Sequence, residues 1–201
     1  MPMRVAVAVS GHGTNLEALL RALGPEAPAR VVLVLSNRAD APALDRAAGR
    51  GIATVTLRDH ADGPEWVSAL ERHGVDLLVL AGYLKLVPAE VIARYRGRIL
   101  NVHPALLPGF GGQGMYGRRV HEAVLASGAR ESGATVHLVD EVYDRGAILG
   151  QARVPVLPGD DPDSLAARVL EAEHRLLPAA VLAAAAAGHP VPISEFAESN
   201  P

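Results

Sequence analysis

Apolar residues fall into short unbroken runs that alternate with stretches of helical periodicity. The run 5–9 is continuous and ends at Ser10-Gly11-His12-Gly13-Thr14-Asn15, as expected of a strand buried on both faces of a parallel sheet. Leu16, Leu19, Leu20 and Leu23 then recur at helical spacing until Gly24-Pro25, a helix stop. The alternation continues with strands predicted over 31–35, 52–55, 75–80 and 99–102, and helices over 43–50, 65–73, 88–95 and 120–126. Strands over 134–139 and 148–156 precede a long helix over 163–187, which Pro178 should bend. Strands interleaved with helices predict an α/β fold: a single domain over 1–190, a mostly parallel twisted sheet with helices on both faces, and a Pro-rich C-terminal tail over 191–201. Ligands of such sheets bind beyond the carboxyl ends of the strands. Ser10, Ser36, Ala81 and His103 all fall at such ends, pointing to one crevice.

Composition narrows the classes. The 201 residues carry a formal charge of −3, with no cysteine and eight histidines. This excludes disulfides, thiol nucleophiles and cysteine zinc sites. The mild acidity argues against nucleic acid as a partner. No stretch reads as a transmembrane helix or a cleaved leader, so a cytoplasmic protein is expected. Eighteen of the nineteen basic residues are Arg, and Lys85 is the one Lys. Only seven residues are aromatic, so aliphatic side chains must fill the core. Of the seven, Tyr83, Phe110, Tyr116 and Tyr143 fall in loops assigned to the crevice.

Five segments carry candidate chemistry. The glycine turn at 10–15 lets a backbone approach a ligand, and a helix N-terminus offers N–H groups to an anion. The dinucleotide pattern GxGxxG is not met, because Leu16 stands in the third glycine position. A single phosphate fits, as does a plain turn with Thr14 or Asn15 capping the helix. Asn101 and His103 sit two apart at a strand end and so point to one side. An amide and a protonated imidazole suit a developing oxyanion, or form a structural polar cluster. Asp140, Glu141 and Asp144 share a short loop, either a solvated acidic turn or a means of holding an imidazole charged. The loop Ala81-Gly82-Tyr83-Leu84-Lys85-Leu86-Val87 can cover a flat apolar ring. Glu173, in the long helix, either points at a cationic or amine substrate or, as the more ordinary case, stands as an exposed helical glutamate. A zinc site from His103, His121 and His137 lacks supporting spacing, and no metal is expected.

In order and spacing, SGHGTN, SNRADAP, LAGYLKLVP, LNVHPALLPGFGG, SGATVHLVDEVYDRG and a late Glu-His helix together resemble the folate-dependent glycinamide ribonucleotide transformylases of the formyltransferase superfamily. The resemblance runs from Arg4 to about Gly188. It implies the Rossmann-like formyltransferase fold and transfer of the formyl group of 10-formyltetrahydrofolate, a co-substrate, to the amine of glycinamide ribonucleotide in purine biosynthesis. It implies catalytic roles for Asn101, His103 and Asp144, and phosphate binding by Gly13, Thr14 and Asn15, with Glu173 near the amine. Folate contacts are implied for Leu84, Lys85, Leu86, Val87, Asn101, Asp140, Glu141, Val142, Tyr143 and Asp144. A monomer or homodimer acting on small molecules is expected. Neither the RNA-binding domain of methionyl-tRNA formyltransferases nor the regulatory domain of formyltetrahydrofolate deformylases is expected. Two features depart from the family pattern. An Arg common before the third helix is missing from Asp62-Gly63-Pro64-Glu65, with Arg58 the nearest upstream. The segment 108–118 is longer and richer in Gly, suited to a lid or to oligomer contacts.

Overall fold

The computed structural model describes residues 1–193. Seven strands form one sheet in the order β3-β2-β1-β4-β5-β6-β7. They are β1 (Met3–Val9), β2 (Ala29–Ser36), β3 (Ala53–Thr56), β4 (Leu77–Leu80), β5 (Ile99–His103), β6 (Glu131–Leu138) and β7 (Ile148–Pro155). The helices are α1 (Thr14–Ala22), α2 (Pro42–Ala48), α3 (Gly63–Arg72), α4 (Ala89–Arg94), α5 (Arg118–Ala126) and α6 (Pro162–Ala187). Every predicted element is present, with ends displaced by a few residues. The pairings from β3 through β5 are parallel, whereas β5–β6 and β6–β7 are antiparallel.

Alternation along β1 explains why both faces are covered. Val5, Val7 and Val9 join one apolar cluster with Leu16 and Leu19 of α1, Ala43 and Ala47 of α2, Val124 of α5 and the inner face of α6. Ala6 and Ala8 face the other cluster, with Trp66 and Leu70 of α3 and Val91 and Ile92 of α4. Period-2 alternation between two helical layers is why the strand reads as unbroken apolar sequence. Tyr83 belongs to this second cluster. Its ring meets Trp66 edge-on, with centroids 5.3 Å apart, so it serves the core as much as the crevice.

Local chemistry sets the helix ends. Asp62 accepts from the Glu65 amide at the start of α3. Asp161 and Ser164 close a reciprocal capping box on α6. The start of α1 differs from the capped-turn alternative: its N-cap is Gly13, in the left-handed region at φ 75°, with no side-chain cap. Thr14 and Asn15 lie inside the helix instead. A Cβ on Gly13 would stand 2.6 Å from Ala43 Cβ, so the turn requires glycine for space as well as for its dihedral. Helix α6 continues through the buried Pro178. Of the expected tail, residues 194–201 lie outside the described residues. Ile193 donates its amide to the Leu149 carbonyl at 2.7 Å, beside the outer strand β7. Among the described residues, no helix is long and apolar enough to cross a membrane.

Candidate active site

The parallel-to-antiparallel change between β4, β5 and β6 builds the site. Antiparallel register puts Asn101 opposite His137 and His103 opposite Thr135, and side chains of directly opposed residues share a face. Thr135 Oγ1 donates to the Ala105 carbonyl at 2.7 Å and accepts the Leu107 amide at 3.0 Å. Gln151 then donates to the Leu107 carbonyl at 2.8 Å. This buried network fixes the chain where it leaves β5, directly after His103.

Asp144 reaches the same point from the loop between β6 and β7. Its Oδ2 lies 3.5 Å from His103 Nδ1, and its Oδ1 lies 3.4 Å from His137 Nε2. The Gly112 amide donates to Oδ2 at 2.9 Å. Asp144 is held at φ 55°, a region that Asp tolerates better than most residues. The loop can fold this closely because Gly146 has no side chain: a Cβ there would overlap the Leu138 carbonyl oxygen. Burial acts to raise the Asp144 pKa; protonation of His137 or His103 toward it, together with the Gly112 amide, acts to lower it and prevails, leaving the carboxyl below its ordinary value.

His103 behaves oppositely to the expected charged imidazole. Burial lowers its pKa and wins over the attraction of Asp144, so the ring is neutral at pH 7 in the free protein. The Phe110 carbonyl, 2.8 Å from His103 Nε2, can only accept, so Nε2 carries the hydrogen and Nδ1 faces Asp144 with its lone pair. Phe110 stands at φ 55°, and it and Asp144 are the two non-glycine residues with positive φ among those described. A bulky side chain there costs on the order of 1–3 kcal/mol, and that strained backbone aims the carbonyl at the catalytic candidate. Segment 108–118 is therefore tied to the site itself.

These groups line a cavity of about 760 Å³, within the size range of small-molecule sites. Leu84, Lys85, Leu86 and Val87 form one wall, and the Leu84 amide is anchored on Ser10 Oγ at 3.0 Å. Asp140, Val142, Tyr143 and Asp144 form another, with Gly112 to Gly117 across from them. Leu84, Leu86, Val142, Tyr143 and Tyr116 are exposed apolar side chains at this opening, a surface suited to a flat apolar ring. Glu141 does not line the cavity as expected. It is exposed and pairs with Arg96 at 2.5 Å, because the loop turns its side chain outward. Phe110 contributes its carbonyl rather than its ring, which is partly buried against the core. Near the missing Arg, Arg58 is occupied by Glu65 at 3.0 Å.

A smaller cavity of about 280 Å³ adjoins Gly11, His12, Gly13, Thr14 and Asn15. Asn15 links the two cavities by donating to Glu173 Oε2 at 2.5 Å. Glu173 lines the larger cavity and is buried, which excludes the exposed helical alternative. Burial pushes its pKa up to about 7, against the Asn15 hydrogen bond, which acts to lower it. Sequence reasoning missed the roles of His137, Thr135, the Phe110 carbonyl and the Gly112 amide in organising the site. The signal for His137 was its position on the strand preceding the acidic loop. Among the described residues no group of three or more His, Cys, Asp or Glu side chains is arranged to hold a metal ion.

An amide and an imidazole at a strand end and a carboxylate between two imidazoles converge on one cavity, and a separate glycine turn adjoins a second. The chain belongs to the formyl transferase family, whose model matches residues 3–181. Its relatives within that family include phosphoribosylglycinamide formyltransferases. The Arabidopsis thaliana chloroplastic protein of that name is 45% identical over 86% of this chain. The chain spans 62% of that relative's length. The Haemophilus influenzae protein is 38% identical over 87% of this chain and 84% of its own length. The crystal structure of the Anaplasma phagocytophilum protein is similar at a TM-score of 0.86 and 36% identity, covering 93% of this chain and 89% of its own.

Proposed function

We propose that the protein transfers the formyl group of 10-formyltetrahydrofolate to the amine of glycinamide ribonucleotide. The products are formylglycinamide ribonucleotide and tetrahydrofolate, and the step belongs to purine biosynthesis. The convergence of Asn101, His103 and Asp144 on one cavity, with Glu173 joining that cavity to the glycine turn, carries this reading. The folate takes the cavity between 84–87 and 140–144. The ribonucleotide phosphate takes Gly13, Thr14 and Asn15, where the first-turn amides of α1 have no side-chain cap.

The amine nitrogen attacks the formyl carbon, and the carbonyl π pair moves onto oxygen. Asn101 stabilises that oxyanion at roughly 3 kcal/mol for a well-placed donor. The amine must shed a proton, and neutral His103, with its Nδ1 lone pair beside Asp144, is the base that receives it, directly or through a water. The resulting imidazolium is stabilised by the ionised carboxylate. It returns the proton to the folate nitrogen as the carbon–nitrogen bond to folate breaks. Glu173 is placed to hold the substrate amine. These steps need no metal and no covalent enzyme intermediate. We further assign residues 1–190 as the formyltransferase domain, in a cytoplasmic monomer or homodimer that acts on small molecules.

The test is folate-dependent formylation of glycinamide ribonucleotide by the purified protein, compared with Asn101→Ala, His103→Ala and Asp144→Ala. Turnover should fall by about 10²–10³-fold or more in each variant. No formylated ribonucleotide from the unaltered protein, or formate release without ribonucleotide, would overturn the reading.

A further inference from the structure

His137 lies at the centre of the site, yet the reaction steps above assign it no part. Its side chain is buried at 2% exposure. Its Nδ1 lies 2.8 Å from the carbonyl of Leu138, the next residue in β6. A carbonyl only accepts, so Nδ1 carries a hydrogen. In a neutral ring the lone pair is then on Nε2. The Asn101 amide nitrogen faces that atom at 3.0 Å and has two hydrogens to give. Asp144 Oδ1 is the more distant neighbour of the same nitrogen, at 3.4 Å, and the Gly112 amide donates to the carboxylate's other oxygen, Oδ2.

We infer that His137 is a positioning residue: a neutral imidazole that accepts one amide hydrogen of Asn101, fixing which end of that amide is which and leaving the second N–H for the oxyanion. An asparagine amide can rotate to exchange its oxygen and nitrogen, and a flipped Asn101 presents a carbonyl to the oxyanion, which repels it. A bare Nε2 penalises the flip, since two acceptors would then face each other. The register of β5 against β6 supplies the opposition of the two residues, and the Leu138 carbonyl supplies the tautomer. The two imidazoles beside Asp144 are thus set in complementary forms by backbone carbonyls: Nδ1–H on His137 and Nε2–H on His103.

The catalytic part of this inference rests on the formyl-transfer reading, but the tautomer can be read without turnover. In protein labelled with ¹⁵N-histidine, His137 should show a protonated Nδ1 and a bare Nε2 at pH 7.5, with the Nε2 resonance moving in Asn101→Ala. A protonated Nε2 overturns the inference whether or not the protein formylates the ribonucleotide. In kinetics, His137→Leu should lower kcat about ten-fold, the equivalent of ~1.4 kcal/mol, with both KM values held within about twofold. His137→Gln, which can set a carbonyl oxygen near the Nε2 position, should recover most of that loss. Asn101→Ala should cost markedly less in the His137→Leu background than alone. Equal losses for Leu and Gln, with additive Asn101→Ala costs, would show a role in packing only. If His137→Leu does not fold, the resonance and the Gln variant still decide the matter.

Discussion

Replacing Glu173 by Gln removes an ionisation while keeping an oxygen where Asn15 donates. The carboxyl has an ordinary pKa of 4.5, and burial raises it to about 7 in the folded protein. Each unit is worth about 1.4 kcal/mol, so the displacement corresponds to about 3 kcal/mol. Below pH 4.5 the group is protonated both folded and unfolded. Between 4.5 and about 7 the unfolded chain ionises while the folded one does not, and stability falls with rising pH. Above about 7 the folded protein carries the whole cost of a buried carboxylate. A glutamine at this position has no such dependence. Urea unfolding at pH 5 and pH 8 should therefore show the Glu173→Gln variant gaining about 2–3 kcal/mol on the unaltered protein between the two pH values. An identical difference at both would refute the buried, raised carboxyl. The same variant tests function: an amide oxygen accepts the amine's hydrogens less strongly than a carboxylate does, so KM for ribonucleotide should rise while folate binding is unchanged.

Two further substitutions separate the halves of the site. Gly13→Ala forces a side chain into the left-handed region and against Ala43, at a cost of about 1–2 kcal/mol for the dihedral alone. Isothermal titration should show weakened ribonucleotide binding, phosphate competition lost, and folate affinity retained. Gly146→Ala drives a Cβ into the Leu138 carbonyl and so displaces the loop that carries Asp144. Here kcat should fall by at least about ten-fold and folate affinity should weaken, with phosphate competition at the glycine turn preserved.

Much of the site was legible because its signals are local. Asn101 and His103 share a side through strand periodicity, and the glycine turn sits where a strand meets a helix. Asp144 was assignable only through resemblance, since nothing in an acidic loop says which carboxylate turns inward. Asp144 faces two imidazoles, whereas Glu141, three residues earlier, pairs outward with Arg96. The burial of Glu173 was not decidable from the helix alone, because its partner, Asn15, is 158 residues away in sequence, and a helical pattern does not reveal which neighbouring helix will cover it. The charge on His103 was expected from its carboxylate neighbour. Burial, which depends on all the packing around the ring, reversed the sign.

By itself the sequence determined the alternation of strands and helices, the core composition and the positions of the site's local motifs, since each depends on backbone periodicity or on turn chemistry within a few residues. Tertiary structure alone decided the reversal of strand direction at β6, which sets His137 opposite Asn101. It also decided the seating of segment 108–118 on His103 and Asp144 and the burial of Glu173. Sheet register and desolvation join residues far apart in the chain, and their energies exist only once the chain has closed around them.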